Sequence, residues 1–465
     1  MKSPTASLAF LGVLLIAGCA AKHESWEPRE VRDLDVREQF VSTTPGPAAG
    51  ADASAIDTAW IASFGDEQLV ALVGEALARN SDLQQAASRA ELARALAQRA
   101  GSDLTPTAGL FTDLGRGDAG VLGEETRIGF GLRAGWEVDV WRRLSKTRRA
   151  AELDFEAARA DWIGARHALA ASTARAWFLA IVGKSRIDVD ERSLAQRERV
   201  LRITRARFDA GEQAGSDVDV AVGQTETARQ LLQQSRGALR TSLLSLEALL
   251  GRYPTAEIAV ADTLPTLADP PPLGLPSQLL ERRPDVVAAE RSVAAAYERV
   301  DAANAARLPR ITLTAEGGFS NDELRGLTNP SNMIWDLAGG LLAPLYAGGR
   351  YQADLGAARA VRAGALASWI GVARNAFLEV ETALTNETAL RERERSIATA
   401  VEHLTRARER VEERYVLGEA ALLELDQIHA QLYQSERDLL AARLDLALQR
   451  VALHLSLGGS FEARP

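Results

Sequence analysis

The sequence holds one cysteine in 465 residues, few aromatics (5%) and no proline in residues 107–253 or 345–463. A lone cysteine, Cys19, excludes a disulfide framework and any cysteine-based metal site. Lysine is scarce, arginine is abundant, and the net charge is −9. That balance argues against nucleic acid as a partner, which calls for clustered basic residues. The arginines are instead interspersed with Glu and Asp, the pattern of a solvated helix face. His23, His167, His403, His429 and His454 lack metal-ligand spacing, and no HExxH motif or GxxxxGK loop is present. The chain shows no nucleophile, metal or cofactor constellation, so it is not expected to be an enzyme.

What is present begins at the N-terminus. Lys2 precedes the apolar run "SLAFLGVLLIAG", which ends at Cys19. The run is too short to span a bilayer and has the three-part shape of a secretory signal peptide over residues 1–18. "LLIAGCA" resembles a bacterial lipobox, in which cleavage before the cysteine leaves it to carry lipid. The alternative is a plain signal peptide with an incidental cysteine. By likeness to bacterial lipoproteins, Ala20 rather than Asp favours sorting to the outer membrane.

Residues 19–55 read as a lipidated arm ending in a flexible linker, "TTPGPAAGADASA". A second break, "LPTLADPPPLGLP" at 264–276, separates two halves, 56–263 and 277–459, with a short tail at 460–465. The halves match each other. Asp82 falls on Asp285 and Pro106 on Pro309, both 203 apart; Gly211 falls on Gly418, Asp219 on Asp426 and Gly251 on Gly458, all 207 apart. The pattern is that of a tandem duplication.

Each half carries one very long helical pattern. From Leu366 to Tyr415 apolar residues form a heptad seam, interrupted by Glu387, Glu394 and Arg408; the return helix places Leu at 425, 432, 439, 446 and 453. A sustained seven-residue period winds helices into a left-handed supercoil. A helix from Leu144 to about Arg207 would extend roughly 95 Å at 1.5 Å per residue. On helical pattern alone, an ordinary coiled-coil spacer fits equally.

Two alternating stretches decide otherwise. In 126–140, Ile128, Phe130, Leu132, Ala134, Trp136 and Val138 share one face; Gly129, Gly131, Arg133, Gly135, Glu137 and Asp139 share the other. In 309–319, Ile311, Leu313, Ala315 and Phe319 oppose Thr312, Thr314, Glu316 and Gly318. Period two predicts strands. Weaker partners near 105–114 and 331–346 give a hairpin in each half, about 105–140 and about 309–346. Strands apolar outward and polar or glycine inward are the mark of an outer-membrane barrel. Four strands cannot close one, and an open edge is not tolerated in lipid. Three copies would supply about twelve strands, within the range of known barrels. A soluble sheet covered by its own helices is the alternative. Trp136, Trp141 and Trp335 are placed on strands, either in an interface belt or in simple packing.

These features resemble the TolC-like outer membrane efflux family, in particular its OprM/NodT-type lipoproteins serving resistance-nodulation-division (RND) pumps. The likeness rests on "LLERRPDVVAAERSVAAAYERVDAANAARLPRITLTAEGGFS" (279–320), "WEVDVWRRL" (136–144), "PLYAGGR" (344–350) and "LHLSLGG" (453–459). It implies a mainly α fold with a small membrane β part: a homotrimer whose twelve-stranded barrel continues into a long α-helical tunnel. It further implies a lipid anchor at Cys19, a periplasmic adaptor, an inner-membrane RND pump, and a location in the bacterial outer membrane extending into the periplasm. The function expected is passive export of small molecules such as drugs or toxic compounds. Export of metal ions or secreted proteins is the runner-up, and a lipid-anchored coiled-coil scaffold or an anchored hydrolase are readings from other classes. The sequence does not name the cargo or the partner pump.

Two acidic hairpin tips are the candidate gate. "RFDAGEQAGSDVDV" (207–220) and "RYVLGEAALLELDQ" (414–427) each join two helices through one glycine, Gly211 or Gly418. The glycines supply the backbone freedom a tight helix-to-helix turn needs. Asp217 and Asp219, and Glu424 and Asp426, begin the returning helices, where carboxylates suit the helix dipole. The resemblance adds a second role, as rings of three at the tunnel end acting with nearby arginines. Glu424 sits at the family's spacing past the glycine, whereas Asp426 lies about one residue off it, where Gln427 stands.

Overall fold

The computed structural model describes residues 60–118, 124–267 and 279–459. The signal segment 1–18, Cys19, the arm through residue 55, most of the linker 264–276 and the tail 460–465 lie outside the described residues. The chain divides into two compact units. One is built on Ser88–Arg159 and Ala288–Gly371; the other takes the described parts of Leu34–Ala87, Ala160–Val287 and Val372–Pro465. Each unit draws on both sequence halves.

The elements run α1 (Glu67–Arg79), α2 (Ser81–Ser102), β1 (Thr107–Asp118), β2 (Glu124–Val138), α3 (Arg143–Asp209), α4 (Gly215–Leu249), a single turn α5 (Leu279–Arg282), α6 (Pro284–Ala305), β3 (Arg310–Asn321), β4 (Met333–Leu342), α7 (Arg350–Val416) and α8 (Leu422–Ser456). α3 and α7 are both 67 residues long, and α4 and α8 both 35. All four ends of each pair are 207 positions apart. The correspondence reaches single hydrogen bonds. Asn80 Nδ2 donates to Leu249 O (3.0 Å) at the end of α4, and Arg283 Nη1 donates to Ser456 O (3.1 Å) at the end of α8. Such carbonyls have no partner within their own helix, so a side chain must supply one. Arg283 also bonds Asp285 and Glu379, each at 2.7 Å, so the second site is charged where the first is neutral.

The strands form one four-stranded antiparallel sheet in the order β1-β2-β3-β4. β2 pairs with β3 from Ile128↔Asn321 to Val138↔Ile311, which joins the two hairpins into a single sheet. Register sets the faces, because directly opposed residues point the same way. One face carries Leu110 beside Leu132, Phe130 beside Phe319, Trp136 beside Leu313, and Ala315 beside Leu337. Much of it is open: Leu110 is 74% exposed, Leu114 82%, Leu132 64%, Trp335 78% and Leu337 72%. The other face carries Asp113, Arg133, Glu316 and the glycines of β2, with Arg133 Nε 2.8 Å from Glu316. Gly131 and Gly318 oppose one another so closely that a Cβ on Gly131 would fall 2.8 Å from Gly318 Cα. β1 ends later than the alternation predicts, at Asp118, because its ladder continues to Glu124.

Two expectations at the end of β2 need correcting. Asp139 does not line the polar face. Its carboxylate accepts from Leu144 N (2.9 Å) and Ser145 N (2.7 Å), covering open donors at the start of α3. Trp141 also lies past the strand, in a turn, where its indole donates to Pro309 O (2.7 Å). The next residue, Arg142, takes a left-handed φ of 59° just before α3 begins.

The second unit has an aromatic and aliphatic core in which α1 and the residues just before it pack on α3 and α4 through Trp60, Phe64, Leu69, Trp177, Phe178, Ile181 and Leu246. Fully burying each such side chain contributes about 1.5–3 kcal/mol. The heptad positions Leu425, Leu432 and Leu453 are buried, as are Ala373, Ala376, Val380 and Ala383 on α7. Of the three charges that interrupt the α7 seam, Glu387 and Glu394 are paired across it, whereas Arg408 pairs with Glu409 on α7 itself. Arg450 Nη2 lies 2.6 Å from Glu387, and Arg443 Nε 3.0 Å from Glu394.

Candidate functional site

Both hairpin tips belong to the second unit and share one backbone design. α3 ends at Asp209, Gly211 takes φ 80°, and Glu212 N donates back to Arg207 O at 2.9 Å. α7 ends at Val416, Gly418 takes φ 81°, and Glu419 N donates to Arg414 O at 2.8 Å. A bond of that reach, closed by a left-handed residue, satisfies carbonyls the helix leaves open. No atom lies within 4 Å of a Cβ placed at either glycine, so the backbone angle and not crowding demands glycine there.

The acidic residues then diverge. Asp217 and Glu424 stand in the first turns of α4 and α8. Asp217 is half-buried and Asp219 exposed. Glu424 is exposed and accepts from Arg414 Nη1 at 2.8 Å, across the turn of its own hairpin. Asp426 is turned inward instead. It pairs with Arg197 of α3 and accepts from Gln224 of α4, fastening the second hairpin to the first within one chain. Burial pushes the Arg197 guanidinium below its ordinary range.

Further contacts at this end were not read from the sequence. Arg207, the counterpart of Arg414, donates to Tyr415 O (2.8 Å) and Val416 O (3.3 Å), and stacks on the Tyr415 ring at 4.7 Å. It thereby places a cation at the C-terminus of α7, where the helix dipole is negative. The Tyr415 hydroxyl lies 3.3 Å from Thr204 Oγ1, in a cluster with Val200 and Leu425. The arginine that opens both quoted tip segments was the available signal. Higher up, Asp190 accepts from Arg437 at 2.6 Å and from Ser235 at 2.5 Å, and Arg192 pairs with Glu436 at 2.8 Å. The face between α3 and α8 is thus zipped by ion pairs. Among the described residues no group of three or more His, Cys, Asp or Glu could hold a metal ion. Among them too, no helix is long and apolar enough to cross a membrane.

An exposed apolar sheet and paired helical hairpins with acidic tips are the features expected of an outer-membrane efflux protein. The chain belongs to the outer membrane efflux protein family, whose model matches residues 72–252 and 275–459. It is 26% identical over 472 residues to the cation efflux system protein CusC of Escherichia coli O6:H1, covering 99% of this chain and 100% of that protein. It is 30% identical over 439 residues to the pyoverdine export outer membrane protein OpmQ of Pseudomonas putida, covering 90% and 91%. The solved outer-membrane channel OprN superposes with a TM-score of 0.87 at 26% identity, over 95% of this chain and 100% of that one. The expected family resemblance is borne out.

Proposed function

We propose that this chain is the outer-membrane exit duct of a tripartite efflux system, passively conducting small molecules received from an inner-membrane RND pump and a periplasmic adaptor. One observation carries the reading. The sheet presents a broad exposed apolar face, and among the described residues neither β1 nor β4 has a second neighbour. Lipid provides no partner for a strand edge, so three copies pool their strands into a barrel of about twelve. The helical hairpins of the three copies build the periplasmic tunnel. The two halves, 56–263 and 277–459, are a tandem duplication, supported by the matched 67- and 35-residue helices. Cys19 anchors the chain to outer-membrane lipid.

At the tunnel end Gly211 and Gly418 make the turns, and the exposed carboxylates of Asp219 and Glu424 form rings that draw in cations. Asp217 contributes at the start of α4. Asp426 acts differently, as an internal latch to Arg197 and Gln224.

The full-length likeness to a cation efflux protein favours metal-ion export as the second reading. The test is purification from outer-membrane fractions followed by planar-bilayer recording. Heat-resistant trimers that conduct are expected, with cation preference lost in Glu424→Gln; a monomer that does not partition into membranes would end the proposal.

A further inference from the structure

In the first unit, Leu92 and Leu96 of α2 are 60% and 49% exposed, and Val361 of α7 is 58% exposed. The repeat says what covers them. Moved by 203 and 207 positions, the strand pair Thr107↔Gly135 of the first hairpin becomes Arg310↔Leu342, a pair observed in the second. The same two shifts carry both ends of α2 onto those of α6, and both ends of α3 onto those of α7.

Within the chain, α6 lies along the start of α3 as β3 lies along β2. Lys146 of α3 pairs with Glu298 (2.9 Å) and Asp301 (3.0 Å) of α6, Glu156 with Arg291 (3.1 Å), and Asp154 with Arg299. Shifted through the repeat, this junction sets α2 along α7 and β1 along β4. One chain cannot make it, because β1 and β4 are opposite edges of its sheet. Burial records the missing neighbour. Ala295 of α6 is fully buried, whereas its counterpart Leu92 is open; Leu153 and Ala157 of α3 are buried, whereas their counterparts Ala360 and Gly364 are exposed.

The chemistry of the two junctions differs. On α7 the counterparts of Lys146, Asp154 and Glu156 are Ala353, Val361 and Ala363. On α2 those of Arg291, Glu298, Arg299 and Asp301 are Ser88, Ala95, Leu96 and Gln98. Every charge of the in-chain junction is replaced by an uncharged residue, and the pair Arg299–Asp154 becomes Leu96 and Val361.

We propose that α2 of one copy seats on α7 of the next as α6 seats on α3, with Leu96 against the partner's Val361, and that this apolar seam distinguishes a neighbouring copy from the chain's own second half. The strand register follows: the in-chain pair Ala134↔Ala315 places Leu341 opposite the partner's Thr112. The seams are not interchangeable. Were α2 of a neighbour to take the place of α6 on α3, Leu96 would cover Asp154, and Lys146 and Glu156 would lose their partners too. Charges left unpaired away from water are costly, and such mismatches reject a wrong pairing as surely as good contacts select the right one. The inference rests on the exit-duct reading and assigns the residues by which its copies recognise one another.

Two measurements on the full chain in outer-membrane fractions test it. Leu96→Cys/Val361→Cys treated with a short bismaleimide is expected to give covalent dimers and trimers, and either single variant none. Leu96→Arg and Val361→Asp are each expected to lower several-fold the trimer that survives warm detergent. The double variant transplants the Arg299–Asp154 pair into the seam and is expected to restore it. Intact trimers that do not cross-link, single charged variants as heat-resistant as wild type, or a double variant no better than the singles overturn the seam. A wild type that assembles but conducts nothing in planar bilayers strikes the exit-duct reading and leaves the cross-link to decide the seam; a wild type without oligomers overturns both.

Discussion

Arg450→Met isolates the buried pair that crosses the α7–α8 seam. Arg450 and Glu387 are 4% and 5% exposed at the side chain and 2.6 Å apart. Removing one member of such a pair strands the other charge away from water, which costs about 3–5 kcal/mol. The structure lowers that figure, because Arg391 Nη2 lies 3.2 Å from the same Glu387 oxygen and remains as a partial counter-ion. The expected loss is about 2–3 kcal/mol. Unfolding entropy of roughly 2.1 cal/mol/K per residue turns this into a fall of about 3 °C in the unfolding temperature of a chain this long. Glu387→Leu/Arg450→Met, which fills the same seam with apolar groups, should return to within about 1 kcal/mol of wild type. Circular dichroism melts in detergent read both variants. If Arg450→Met melts with wild type, or the double variant is no better than the single, the seam does not depend on neutralising Glu387.

Gly418→Ala forces a left-handed angle on a side-chain-bearing residue in open space, so it should cost about 1–2 kcal/mol locally and raise hydrogen exchange at the second tip without altering the global melt. Arg142→Gly should do the reverse: φ is 59° there, its counterpart 207 positions on is Gly349 at 81°, and glycine should stabilise by about 0.5–1 kcal/mol in thermal denaturation. Glu247 is buried at the end of α4, and its carboxylate accepts from Thr255 N, Ala256 N and Glu257 N. Burial pushes its carboxyl up, but those backbone bonds outweigh it and hold it below the usual range. A depressed carboxyl stabilises above its unfolded value, near pH 4.3, and loses that contribution as the pH falls through its folded value. Glu247→Gln should therefore cost about 2 kcal/mol at pH 7, and its deficit should shrink in melts below about pH 4.

Much of this molecule is written in short-range patterns. The period-two alternation of 126–140 places Phe130 and Trp136 on the face opposite Arg133, and the register confirms it, because side chains on a strand can only alternate. The heptad leucines 425, 432 and 453 are buried because seven residues return to the same side of a coiled helix. Gly211 and Gly418 were identifiable as turns because few residues tolerate their angles.

Local pattern could not reach anything set by which chain segments meet. Nothing in either hairpin states that β2 pairs with β3, since strand edges offer the same donors and acceptors to any partner. Asp139 fits the alternation and still leaves the strand, drawn off by the open N–H groups of α3. Asp219 and Asp426 are equivalent by position, yet one faces water and the other meets Arg197 and Gln224. The sequence by itself determined the helices, the strand faces and the turns, because each depends on residues a few positions apart. Tertiary structure alone decided which charges are neutralised and which stay open, because a carboxylate's partners come from helices some 200 residues away.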